Sequence, residues 1–256
     1  MAAREFKSDS PVRMVAFTKD GKSVKGTCVD GKVRLWNAAT GALEKTEAGE
    51  ARRIVSADQK LVVSSSRGSG NSSLDTVRVK EASGKELFAA PAGVGGISTM
   101  AFSPDGGTLV AASYDTDVRA WGARNGELLR LIEEIPVATF AMMFTPDGKY
   151  LATAGVDRVV YVWDSKTWKL TRKLTGQPEM IQSLDFSADG KMLATGGFSA
   201  LTNRNPVKIL LWDFASGKIV RSLDAKQAVP SVAFSPDGKM LAWAGAMGVS
   251  LSAVGD

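Results

Sequence analysis

The chain has 256 residues, 44% of them hydrophobic and 23% charged, the balance of a soluble globular protein rather than a disordered or membrane chain. Its formal charge of +5 comes from 32 Lys and Arg scattered among 27 Asp and Glu without a run of five or six, which argues against a nucleic-acid footprint. There is no histidine and a single cysteine, Cys28, so intramolecular disulfides, imidazole metal ligands and Ser-His-Asp or Cys-His catalysis are excluded.

The chain opens on MAAREFKSDS, which is charged and carries no apolar stretch, and no later segment approaches the roughly 20 apolar residues of a membrane helix. A cytoplasmic protein without membrane insertion is expected. From there a turn aspartate recurs as Asp20, Asp58, Asp105, Asp147, Asp189 and Asp237, spaced by 38, 47, 42, 42 and 48 residues. Periods of about 40–45 residues mark a repeat architecture.

The first unit reads VAFTKDGK, then a small residue at Cys28, an acid at Asp30 and Trp36 in RLWN. Cys28 is expected to be a small buried core residue. The second unit is degenerate, with SADQK in place of the turn, and it inserts SRGSGNSSLD between its second and third strands. This insertion and GVGG at 93–96 resemble phosphate loops only superficially, because GxxxxGK[ST] is absent and GVGG opens a strand.

The third unit (MAFSPDGG, Ser113, Asp115, Trp121) and the fourth (MMFTPDGK, Gly155, Asp157, Trp163) repeat the first in phase. In the fourth, TFAMMF, KYLATAG, RVVYVW and WKLTRKL are four apolar runs separated by TPDG, VD and DSKT, which predicts four strands per unit. Pro at the first corner presets φ, Asp bonds the backbone and Gly accepts positive φ. The fifth unit, LDFSADGK, inserts FSALTNRNP and so displaces its tryptophan to Trp212. The sixth, VAFSPDGK, ends after its third strand, GVSLSAV.

The recurring [ST]-x-D-G turns, with RLWN, YVWD and LLWD, resemble the WD-repeat β-propeller family over essentially the whole chain. The resemblance implies an all-β propeller of about six four-stranded blades in one domain, residues 1–256. Phe6 precedes Asp20 by the same 14 residues that separate Leu223 from Asp237, so the N-terminal strand is expected to complete the last blade and close the ring. A seventh blade in a longer parent protein stays open, and the regularity of the repeats is expected of a bacterial protein. Typical repeats of this family link a Gly-His pair to the turn acid and the tryptophan. Here that place holds residues such as Gly176-Gln177, so no such tetrad is expected in any blade, and Asp30, Asp115 and Asp157 are expected to cap their own turns.

The resemblance implies a non-enzymatic scaffold without a cofactor or metal, binding a protein or peptide. In a propeller the loops after the second and fourth strands share one face, and both insertions fall there. Candidate contacts on that face are Arg67 and Asn71 in one insertion, Asn203 and Arg204 in the other, and the turn aromatics Tyr114 and Phe198. Where the first strands begin, Arg13, Phe140 and Gln182 are expected to line the central opening, with Arg52 adding positive charge to the weakest blade. On the opposite face, Trp168 replaces a turn glycine and is either a second contact or folded onto Tyr150. Two alternatives remain: a small-molecule or carbohydrate module using the opening, and a structural subunit of a larger complex.

Overall fold

The computed structural model describes residues 3–49, 54–66, 74–93, 95–132, 138–199 and 207–255. Among the described residues, twenty-four strands build six four-stranded antiparallel sheets, the predicted number of blades. No described helix is long and apolar enough to cross a membrane. Contacts divide the chain into two compact units, Met1–Ala51 with Thr175–Asp256, and Arg52–Leu174, each carrying three blades.

The first unit starts with β1 (Arg4–Lys7) and continues through blade one, β2 (Val12–Phe17), β3 (Ser23–Cys28), β4 (Lys32–Asn37) and β5 (Leu43–Ala48). The second unit holds blade two, β6 (Ile54–Val55), β7 (Leu61–Ser66), β8 (Asp75–Glu81) and β9 (Glu86–Gly93). Blade three follows with β10 (Ile97–Phe102), β11 (Thr108–Ser113), β12 (Val118–Gly122) and β13 (Leu128–Ile132). Blade four is β14 (Thr139–Phe144), β15 (Tyr150–Gly155), β16 (Val160–Asp164) and β17 (Leu170–Leu174). The chain then returns to the first unit for blade five, β18 (Met180–Phe186), β19 (Met192–Phe198), β20 (Val207–Asp213) and β21 (Lys218–Ala225). Blade six contributes only β22 (Val232–Phe234), β23 (Met240–Gly245) and β24 (Gly248–Ala253), and β1 supplies its fourth strand.

The pairing of β1 with β24 follows from pattern. Phe6 is the one buried residue of β1, flanked by exposed Glu5 and Lys7, and it enters the core that Trp36, Val24 and Cys28 share with Val249 and Leu251. The alternation gives β1 one buried face, and a one-residue slip would turn Phe6 out. Cys28 is buried and free, as read from its apolar run. A second core in this unit joins blades five and six through Ile209, Leu211, Val232, Leu241 and Trp243. In the other unit, Leu109 and Trp121 pack with Val63, Val77 and Val79 of blade two, while Val110, Val118 and Ile132 pack with Leu151 and Trp163 of blade four.

The turn that reveals the repeat is a side-chain clasp. In blade one the Thr18 hydroxyl donates to Asp20, Asp20 accepts the Lys22 N–H, and the Ser23 N–H donates back to Thr18 Oγ1. The hydroxyl–aspartate bond recurs as Ser56–Asp58, Ser103–Asp105, Thr145–Asp147, Ser187–Asp189 and Ser235–Asp237. Positive φ falls on Gly21, Gly106, Gly148, Gly190 and Gly238, where glycine carries no Cβ penalty. Blade two has Gln59 there at φ 58°, which is the strain that the missing glycine leaves behind. The same hydroxyls hold all six aspartates below the ordinary carboxylate range, with Asp147 drawn down to about 2.

Candidate functional site

Four blades share a departure from the regular ladder. The register slips between Val12 and Met14 on β2, Ile97 and Thr99 on β10, Thr139 and Ala141 on β14, and Ile181 and Ser183 on β18. The residues left over are Arg13, Ser98, Phe140 and Gln182. A bulge leaves its extra residue unpaired and re-aims its side chain. Arg13 and Gln182 are exposed; Ser98 and Phe140 are half-buried, and the Ser98 hydroxyl donates to the Ala112 carbonyl at 3.0 Å. In blades four and five the bulge also explains the glycine eight positions after the turn aspartate. At Gly155 and Gly197 the carbonyls of Ala138 and Met180 cross so closely that a Cβ would overlap them.

In the second unit these features meet. Tyr114, at the turn after β11, is 52% exposed, and its ring stands edge-on to Phe140 of the next blade, with centroids 6.3 Å apart. The turn is fixed from beneath: the Asp117 N–H donates to Asp115 Oδ1, and the Ser113 hydroxyl donates to the same carboxylate. Asp117 pairs with Arg119, whose Nη1 has no partner among the described residues.

Asp30 and Asp157 cap their turns in the same way, accepting the Lys32 and Val159 N–H groups. Each also holds a side chain that sequence reasoning missed. Asp30 takes both Nη atoms of Arg34, which is only 4% exposed, and Asp157 accepts the Tyr161 hydroxyl at 2.6 Å. Burial, followed by this bond, pushes the Tyr161 phenol up to about 12. Arg34, Arg119 and Tyr161 all lie fourteen residues after their turn aspartate, a phase that could have flagged them.

Without histidine the family's tetrad does not form, but blade five builds a different buried network. In blade five Trp212 Nε1 donates to Thr195 Oγ1 at 3.0 Å, Thr195 donates to Gln177 Oε1 at 2.6 Å, and Gln177 Nε2 reaches the Lys208 carbonyl and Glu179. Glutamine replaces histidine because one side chain offers both the acceptor and the donor that the buried position requires. Blade four keeps only the inner bond, from Trp163 to Thr153. In blade one the equivalent residue is Gly26, whose missing side chain is replaced by the Trp36 ring. Gln177→Leu is expected to cost about 2 kcal/mol, because it strips partners from buried groups. The loss is measurable as a lower urea midpoint at unchanged slope.

Of the remaining candidates, Phe198 closes β19 opposite Met180 in the first unit and is half-buried. Trp168 holds the turn-glycine conformation at φ 57° and is half-buried against the core of blades three and four, which favours packing over an open second contact. Arg52, Arg67, Asn71, Asn203 and Arg204 lie outside the described residues.

A family model, WD domain, G-beta repeat, matches residues 88–122, 135–164, 168–200 and 217–248, together just over half of the chain. Each match begins near the last strand of one blade and runs into the next, the same phase that leaves β1 to complete blade six. No curated protein matches the chain significantly.

Proposed function

Because the chain belongs to the WD-repeat family of β-propellers, whose repeats generally serve as protein-interaction scaffolds, we propose that this protein is a non-enzymatic scaffold of one six-bladed domain. It binds a protein or peptide through the turn after β11 and the neighbouring bulge on β14. The observation that carries this reading is the Tyr114–Phe140 pair. A half-exposed tyrosine braced by a second ring offers a large amphipathic surface at small entropic cost, the usual anchor of an interface.

The test is affinity capture from the native source with wild-type, Tyr114→Ala and Phe140→Ala baits of matched thermal stability, followed by titration of the captured protein. Loss of an anchor tyrosine is expected to weaken binding by about 30-fold, given roughly 2 kcal/mol or more for such residues. A partner held equally by all three baits would remove this face from the interface.

A further inference from the structure

Blade six differs from the other blades at the turn between its second and third strands. Blades one, three and four make that turn with a five-residue loop containing Asp30, Asp115 or Asp157, whereas β23 and β24 pair up to Gly245 and Gly248 and leave only Ala246 and Met247 between them. The shortened turn itself carries no carboxylate. Beside it lies a cavity of about 620 Å³, bounded by this hairpin, by β1 and by the Asp224–Ala228 linker. The volume is within the range of sites that enclose most of a small ligand.

The chemistry of the lining is specific. It includes Trp243 of β23, 5% exposed, whose indole N–H makes no hydrogen bond among the described residues. Gln227, also in the wall, likewise makes no side-chain hydrogen bond among the described residues, so its amide offers both a donor and an acceptor. At the rim, Lys226 is paired with Glu5 at 2.7 Å and Asp224 with Lys208, while Lys7, the remaining charged residue of the lining, is exposed to solvent. Met247, 73% exposed, stands at the mouth, where a flexible thioether adapts to varied apolar shapes.

We propose that this cavity binds an uncharged, amide-bearing apolar group: a large apolar residue of a peptide, with its side chain over Trp243 and its flanking peptide group paired with Gln227. An amide complements an amide, and its carbonyl can accept from the free indole. A purely apolar ligand would leave both polar groups of the wall unpaired, a loss that peptide recognition avoids. The site needs no contact with Tyr114 or Phe140 and stands whether or not that pair binds a partner.

The probes are N-acetyl-leucinamide, N-acetyl-phenylalaninamide and benzene, titrated into the full chain while the tryptophan indole N–H signals are followed by NMR. The Trp243 signal is assigned by its loss in Trp243→Phe. The amides are expected to shift that signal, and benzene to bind about tenfold more weakly or not at all. Gly245→Leu fills the cavity without backbone strain, since its φ is not in the positive region and a Cβ there meets only Gln227, at 3.7–3.9 Å. It is expected to abolish the shift, and Gln227→Leu to weaken amide binding about tenfold while leaving the fold intact. An unshifted Trp243 signal, equal binding of benzene, or full binding by either leucine variant overturns the proposal. Tyr114→Ala, expected to leave the titration unchanged, separates this site from the aromatic one.

Discussion

Gly197→Ala is expected to destabilise the protein by about 3 kcal/mol, while Gly245→Ala, at the same position of the next repeat, changes stability by less than about 1 kcal/mol. Sequence alone makes the two glycines equivalent, each eight residues after its turn aspartate. Their surroundings differ. Opposite Gly197, the bulge on β18 brings the Met180 carbonyl across the strand, and the added methyl would overlap that oxygen and crowd the Ile181 backbone. Neither neighbour is the free end of a side chain, so the backbone itself must move. Blade six has no bulge there: β22 spans only Val232–Phe234, and a Cβ on Gly245 meets the Gln227 side chain at ordinary contact distance. Urea unfolding of the two variants beside the wild type decides the matter. Equal losses would mean that the glycines are retained for a local backbone reason common to both, and that the bulge does not set the requirement.

The same comparison separates what was legible in the sequence from what was not. The turn clasps were legible because two side chains and a glycine within six residues make the whole structure, and each residue type has one local role. The blade count and the completion of blade six by β1 were legible because they depend on phase, which counting recovers. The bulges were hidden. An extra residue at the start of a strand leaves the hydrophobic alternation after it intact, so Arg13, Phe140 and Gln182 could be placed at the strand starts but their unpaired state could not be read. The Trp212–Thr195–Gln177 network was hidden for a different reason. The family pattern carries histidine at this place, while the site requires only a buried acceptor for the threonine hydroxyl and a donor toward Lys208, both of which glutamine supplies. The edge-on contact of Tyr114 and Phe140 joins residues of neighbouring blades, a pairing that no pattern within one repeat encodes. The cavity in blade six arises from a shortened turn and an absent acid, and sequence analysis that looks for longer loops passes over a shorter one.

The stability of the protein is expected to peak at mildly acidic pH and to fall on both sides, with the fall toward neutrality assigned to one residue, Asp185. It lies on β18 where the other repeats carry Ala16, Ile54, Ala101, Met143 and Ala233, and its Oδ2 accepts the N–H of Phe234 on β22 at 2.6 Å, tying blade five to blade six. Burial pushes its carboxyl up to about 7, with the N–H groups of Phe234 and Phe186 offsetting part of the rise. Between an ordinary value near 3.8 and this one, the folded chain holds a proton that the unfolded chain has released. The contribution of Asp185 is therefore fully present below the unfolded value and is lost as pH rises through about 7. The six turn aspartates have the opposite sign. Their folded values are depressed, so their contribution is present above 3.8 and is lost as pH falls through the folded values, about 2 for Asp147. Asp185→Asn keeps an oxygen for the Phe234 N–H and removes the titration. It is expected to raise stability by about 2 kcal/mol near pH 8, to flatten the decline between about pH 4 and pH 7, and to leave the acid branch unchanged. Asp185→Ala also removes the charge but strands the Phe234 N–H, so at low pH it falls below the wild type by about 1–2 kcal/mol. Urea midpoints for the three proteins from pH 3 to pH 8 distinguish these curves. A neutral-side decline as steep in Asp185→Asn as in the wild type would place the responsible group elsewhere and leave Asp185 with a hydrogen-bonding role alone.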